Sequence, residues 1–255
     1  MDWAHKRKFI VFSIFGALVV AVAAIIGFSV FYHTPTCIDK KMNQDETGID
    51  CGGSCSILCS AEVPPATVRF ARTIIQSGRT DVIAYVDNGN STAYAKDASM
   101  TLEAYKSDGT LVTARVKVNL PPRASVPVFI PGIASAGAGI RQAFLTFDQG
   151  SPVWMRGTAI DPSVIVSNVV TLTPETKPRI TATLVNQTAK PVYNTVVTVT
   201  VFGADGEALA ASQTIVPTLP AQGTAPMIFT WNEPFAAPVV RVDVVPTQSA
   251  PRIQL

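Results

Sequence analysis

From Phe9 to Tyr32 the chain reads FIVFSIFGALVVAVAAIIGFSVFY, with no charged residue and no proline. At about 1.5 Å per helical residue, a helix over this run crosses a hydrocarbon core of roughly 30 Å. Backbone groups in lipid have no water to bond to, so an uninterrupted helix is the expected form. Lys6-Arg7-Lys8 stand at its amino end, and basic residues stay on the cytoplasmic side. The expected topology is a cytoplasmic stretch 1–8, a transmembrane helix Phe9–Tyr32 with the lipid bilayer as its partner, and the bulk of the chain extracytoplasmic. Ala21-Val22-Ala23 has the small-x-small form of a signal cleavage site, but it lies inside the apolar run. Secretory signals have a shorter apolar core, so an uncleaved signal anchor is expected.

Beyond residue 63 the pattern changes to period two. Asp81-Val82-Ile83-Ala84-Tyr85-Val86, Arg179-Ile180-Thr181-Ala182-Thr183-Leu184 and Val196-Val197-Thr198-Val199-Thr200-Val201-Phe202 place apolar side chains at alternate positions, as a sheet with one buried face requires. Asp108-Gly109 and Asp205-Gly206 follow such runs as turn pairs. Val68, Thr73, Ala84 and Asn88 recur in the same spacing as Val166, Thr171, Ala182 and Asn186, and Leu120-Pro121 recurs as Leu219-Pro220. An internal repeat of this kind predicts two copies of one unit. With about seven short strands per copy, each is expected to be an immunoglobulin-like β-sandwich. The copies are assigned to residues 63–150 and 164–246, with a linker over 151–163 and a disordered C-terminal tail over 247–255. The fold class expected is mainly β, with a transmembrane helix, a disulfide-rich segment and two tandem sandwiches.

Residues 33–62 fit neither pattern. PTCIDKKMNQDETGIDCGGSCSILCS, from Pro35 to Ser60, is polar and has too few apolar residues for a core, so it needs staples. All four cysteines of the chain, Cys37, Cys51, Cys55 and Cys59, lie here. In an oxidising compartment they are expected to form two disulfides, with three connectivities open. The segment lacks the paired C-x2-C knuckles of zinc sites, and it has no C-x-x-C redox pair. Asp39, Asn43, Asp45, Glu46 and Asp50 supply oxygen atoms of the sort calcium takes, although Lys41 and Gln44 stand where an EF-hand loop has a ligand and a glycine. Calcium on these five side chains is one expectation; turn-forming, solubilising residues are the other.

Cys37, Asp39, Asn43, Glu46, Thr47, Asp50, Cys51, Gly52, Gly53 and Cys55 resemble the C-x-D-x-x-x-N-x-x-E-T-x-x-D-C-G-G-x-C motif of bacterial surface and secreted proteins. In that motif the last cysteine comes after two further residues; here Ser56-Ile57-Leu58 makes three. The second copy resembles the FxLYD-type immunoglobulin-like domain of bacterial envelope proteins through Ile180 to Thr188, the valine run into Gly203-Ala204-Asp205-Gly206, and Leu219-Pro220-Ala221-Gln222-Gly223. Val201-Phe202-Gly203 stands where that family has its named aromatic motif. The resemblance implies a noncatalytic surface module.

Charge and composition narrow the function further. The net charge is +2 and charged residues are 15% of the chain, without a basic block, which removes the electrostatic footprint of a nucleic-acid binder. The two histidines are His5 and His33, both flanking the apolar run, so no Ser-His or Cys-His nucleophile is available to the repeats. Asp148, Asp161, Glu175, Asp205, Glu207, Glu233 and Asp243 are the carboxylates that could hydrolyse a glycoside, but they sit at turns and polar strand positions. Asn90-Ser91-Thr92 and Asn186-Gln187-Thr188 match glycosylation sequons. Trp154 and Trp231 are expected to close a sandwich end or a seam between domains, and Trp3 to sit in the interfacial belt. Gly16 and Gly27 are too far apart for G-x-x-x-G helix packing. The expected function is a noncatalytic, membrane-anchored envelope protein whose sandwiches contact an extracytoplasmic protein or glycan. A calcium-dependent surface module and a structural subunit of a membrane assembly are the alternatives.

Overall fold

The computed structural model describes residues 3–31, 37–43, 45–157, 164–172, 177–247 and 252–254. They fall into two compact units, residues 1–56 and 57–255.

The first unit begins with helix α1, Trp3–Phe31. No proline or glycine stands ahead of Phe9, so the helix takes in the basic residues as well. Arg7 lies one turn from Trp3, and its guanidinium stacks 4.1 Å from the indole centroid. An 18-residue window within Arg7–Phe31 has a mean hydropathy of 2.9, and none of that window is buried by protein. The helix is apolar around its whole circumference, long enough to cross a membrane. Tyr32, the expected end of the span, lies outside the described residues.

The second unit is all β. Its first part comprises β1 (Thr67–Gln76), β2 (Arg79–Asn88), β3 (Ala93–Lys106), β4 (Leu111–Leu120), β5 (Ala124–Ser135), β6 (Ile140–Phe147) and β7 (Trp154–Arg156). The second comprises β8 (Val164–Leu172), β9 (Arg179–Asn186), β10 (Val192–Phe202), β11 (Ala208–Leu219), β12 (Thr224–Thr230) and β13 (Arg241–Thr247), and β14 (Arg252–Gln254) ends the chain. Sheet β1-β2-β5 faces sheet β4-β3-β6 across a core of Val82, Val86, Met100, Leu102, Val116 and Val128. Sheet β8-β9-β12 faces β11-β10-β13 across Ile180, Leu184, Val197, Val199, Val201 and Phe229. The same pairing order is thus met twice, all antiparallel.

Two segments differ from their sequence reading. Within 151–163, Trp154–Arg156 pairs with Ala93–Ala95 of β3, and Trp154 fills the first core. A large apolar ring at the edge of an open core gains more from burial than from serving a linker. Residues 158–163 lie outside the described residues. Of the tail 247–255, Arg252–Gln254 add to β4 at Arg115–Lys117. An unpaired strand edge offers backbone hydrogen bonds that a terminal segment can take up. Residues 248–251 and 255 lie outside the described residues.

Asn88 and Asn186 end β2 and β9, and each is a buried plug. The Asn88 amide nitrogen donates to the carbonyls of Ala93, Leu120 and Pro121 at 2.9, 3.2 and 2.9 Å. Its oxygen accepts from the Asn90 backbone at 3.1 Å. The Asn186 amide donates to Lys190, Leu219 and Pro220 at 2.8, 3.4 and 2.9 Å, and its oxygen accepts from the Thr188 backbone at 2.9 Å. One side chain therefore satisfies buried carbonyls of the loop ahead and of a turn more than thirty residues away, where Arg123 and Gln222 each adopt φ 51°. Asn186→Ala would remove three hydrogen bonds worth about 1 kcal/mol each, although the Lys190 carbonyl keeps the Thr188 hydroxyl and the Pro220 carbonyl keeps the Gly223 N–H. Urea unfolding of the detergent-solubilised chain should show a midpoint drop equivalent to about 3 kcal/mol at constant slope.

The two sandwiches meet through a third apolar cluster. Ile74, Ile83, Tyr85 and Phe129, on the outer face of β1-β2-β5, are buried with Phe202 and Ala211 from β10 and β11. Phe202 meets Phe70 edge-on with centroids 6.2 Å apart, and Arg241 covers its other side at 4.1 Å. The Gln76 side-chain amide pairs with Ala211 as a backbone would, donating at 2.8 Å and accepting at 3.4 Å. It also donates to fully buried Asp81, which accepts from Arg79 and from the Gly132 backbone. β2 and β10 are consequently buried on both faces over most of their length.

Tyr85 donates to Thr200 Oγ1 at 3.1 Å across this seam. Burial pushes its phenol up to about 12 from the ordinary 10.0. The fold favours the protonated phenol, so this contribution is complete below pH 10.0 and is lost as the pH rises through about 12. The loss should be on the order of 2 kcal/mol. Stability measured against pH should fall in that window for the natural chain and less steeply for Tyr85→Phe.

Candidate functional site

The cysteine loop is where the sequence placed its candidate chemistry. Cys37 and Cys55 are bonded with S–S 2.08 Å and Cα atoms 5.7 Å apart, and Cys51 and Cys59 are disulfide-bonded as well. No free cysteine is present. The pairing that closes residues 37–55 is therefore selected from the three that spacing leaves open.

Within that closure the loop is built of turns. Both Asp50 oxygens accept the Lys40 N–H, at 3.1 and 3.0 Å. Asp39 accepts the Lys41 N–H at 2.9 Å and the Asn43 amide at 2.8 Å. Glu46 accepts the Asn43 N–H at 3.1 Å while its own N–H donates to the Asn43 carbonyl at 3.2 Å. Asp45 accepts from the Ser54 hydroxyl at 3.1 Å. Lys40 and Asp50 take left-handed φ values of 60° and 57°, which these carboxylate contacts help to hold.

Gly52 and Gly53 lie under this scaffold with φ 81° and 52°. A Cβ on Gly52 would overlap the Thr47 hydroxyl, and one on Gly53 would overlap the Asp45 carbonyl. The glycine pair is required by close approach as much as by φ.

The expected calcium donors are not gathered around one point. Among the described residues, the acidic or sulfur donors within 4.8 Å of one another are Cys37, Glu46 and Cys55. Two of these are disulfide sulfurs, which lack the thiolate charge a metal needs. Glu46 Oε1 lies 3.4 Å from Cys55 Sγ, a contact rather than a hydrogen bond because the oxidised sulfur carries no proton. Asn43 Oδ1 is buried without a hydrogen-bond partner. Asp39 serves donors of its own turn, whereas Asp45 and Asp50 accept from Ser54 and Lys40 across the loop.

The remaining candidates are dispersed. Asp148 accepts from the Ser99 and Thr101 hydroxyls, which together hold its carboxyl below the usual range. Glu207 accepts the Asp205 N–H in the turn after β10, and Asp243 pairs with Arg241 at 3.2 Å. Asp161 and Glu175 lie outside the described residues. Both sequon asparagines are inside the fold: the Asn90 amide donates to Pro64 and Asn88, and Asn186 is the plug of the second sandwich. Trp154 and Trp231 belong to the cores of their own sandwiches, the latter with Phe235 at 5.1 Å. An exposed aromatic pair escaped the sequence reading. Tyr105 and Phe144, on β3 and β6, are 38% and 49% exposed with centroids 6.1 Å apart. Their signal was an aromatic at an outward strand position in each of two strands, invisible until the pairing of β3 with β6 is known.

No family model and no curated protein matches this sequence. Among solved structures the chain is similar to red sea bream transglutaminase, with 14% identity over 74% of this chain and 30% of that one, at a TM-score of 0.24. The chain thus spans less than a third of that protein, and a likeness of this degree assigns no activity.

Gly53→Ala should prevent native closure of the loop, since the left-handed φ alone costs about 1–2 kcal/mol for a residue with a Cβ. Peptide mapping without reductant should find the Cys37–Cys55 pair depleted in Gly53→Ala and intact in a Ser56→Ala control.

Proposed function

We propose that this chain is a noncatalytic, single-pass envelope protein: α1 stays uncleaved in the bilayer with its basic end in the cytoplasm, and the sandwich pair is presented on the other side to another surface macromolecule. The observation that carries this reading is an apolar helix that protein does not bury, followed within a few residues by four oxidised cysteines. Disulfides persist in oxidising compartments, and the basic end of a span is retained inside. The recurring sheet order of β1–β6 and β8–β13 supports two copies of one domain, in keeping with the envelope-protein resemblance.

The seam occupies the outer face of β1-β2-β5 and leaves the outer face of β4-β3-β6 as the display surface. There Tyr105 and Phe144 lie beside Leu111 and Glu103, whose carboxylate accepts from the Tyr105 hydroxyl. Aromatic rings with adjacent polar groups suit a protein hot spot or a sugar face.

In intact cells a protease should digest the chain down to a membrane-retained fragment carrying α1, and alkaline carbonate should fail to extract it. A chain protected until lysis, or a mature mass lacking residues before Ala23, would overturn the anchored topology. A photo-crosslinking residue at Phe144 should give an adduct that the same residue at Ala211, inside the seam, does not.

A further inference from the structure

Among the described residues of the disulfide loop the usual partition of side chains is inverted. Glu46 is 4% exposed, whereas Ile38, Met42 and Ile49 are 86%, 63% and 63% exposed. One exposed apolar side chain needs no explanation, but three in a short loop that buries a carboxylate do. They are not scattered. The bonds from the Lys40 N–H to Asp50 tie the turn carrying Ile49 to the turn carrying Ile38, and Met42 follows on the same stretch. Lys40 and Lys41 are exposed between them.

The tether to α1 is short. Ile38 follows Phe31 by seven peptide steps. Even fully extended, that length reaches at most about 25 Å. The Arg7–Phe31 stretch has 25 residues. At 1.5 Å per residue it is about 37 Å long, which exceeds the hydrocarbon core of about 30 Å and carries its end into the headgroup layer. A tether of this reach holds the loop at high effective concentration against the bilayer surface.

We infer that the Cys37–Cys55 loop docks on the extracytoplasmic leaflet, with Ile38, Met42 and Ile49 in the interfacial layer and the Lys40 and Lys41 ammonium groups on lipid phosphates. This rests on the reading of α1 as a retained anchor. Apolar side chains presented beside lysines bind membrane interfaces by losing water while the cations reach the headgroups. Asp39 and Asp50, the acidic groups of the same turns, face the N–H groups of Lys41 and Lys40. The inversion that would be unfavourable in water is thereby an adaptation to a lipid surface, and the disulfide holds it without a core.

The test uses the full chain reconstituted in vesicles of phosphatidylcholine and phosphatidylglycerol, in a Trp3→Phe background that leaves the buried Trp154 and Trp231. Tryptophan is introduced singly, as Ile38→Trp and Ile49→Trp, at exposed positions that the fold does not use, and non-reducing mass analysis checks the disulfides. Alkaline flotation tests anchoring separately. Flotation together with loss of most of the added emission to acyl-chain-brominated lipid, at both positions, supports the docked loop. Flotation with the added emission quenched by aqueous acrylamide and insensitive to bromination overturns docking and leaves the anchor standing. A chain that does not float overturns the anchor and the docked loop with it.

Discussion

Burial of the Tyr85 and Phe202 rings against each other's sandwiches is the interaction on which the arrangement of the two sandwiches depends. Two sandwiches joined by a short connection would ordinarily move independently, because interfaces within a chain are small and polar. Here the seam contains Ile74, Ile83 and Phe129 besides the two rings, together with a side-chain amide that pairs with a strand backbone. Polar groups at its margin are satisfied: Asp81 has three donors and Tyr85 has Thr200. A seam both apolar and hydrogen-bonded through Gln76 and Tyr85 sets one orientation, since rotation would strand a ring in water or leave the Gln76 amide and the Ala211 backbone without each other.

The seam also shows where sequence reading stops. Alternation in Asp81–Val86 and Val196–Phe202 was enough to find the strands and their inner faces, and the sandwich class with its apolar helix followed. The same windows held Ile83, Tyr85 and Phe202 on the faces expected to meet solvent. A period-two pattern reports one buried face; a second buried face shows only as apolar residues out of phase, which single strands carry by chance. The strand Trp154–Arg156 was missed for a related reason: proline and glycine on either side marked a break, and its pairing depends on a strand far away in the sequence. Asn88 and Asn186 were legible as recurring letters, but their work was not. Only the fold brings Leu120-Pro121 and Leu219-Pro220 to the amides that hold them.

In the cysteine loop legibility was the reverse. The need for staples could be read from polarity, and the need for Gly52-Gly53 from a tight reversal. Three connectivities, and two readings of the acidic residues, could not be separated by spacing. In the structure the short carboxylate side chains satisfy N–H groups both within a turn and across the loop. Asp39 does the first and Asp50 the second, each accepting from a backbone donor of the Lys40-Lys41 turn. Where a segment has no core to satisfy its backbone, acidic residues do so.

The loop and the sandwiches therefore reach a single conformation by opposite means. In the sandwiches apolar burial does most of the ordering, and buried polar side chains such as Asn88, Asp81 and Asn186 stand at ends and seams and bond backbone groups there. In the loop, covalent closure and hydrogen bonds do the ordering, which releases the apolar side chains from any duty to a core. The sandwiches also expose apolar side chains, Ile75, Ile215 and Ile228 among them, but each stands on a strand whose other residues fill a core. In the loop no such core stands behind Ile38, Met42 and Ile49, and the disulfides that follow the apolar helix hold the segment in its place.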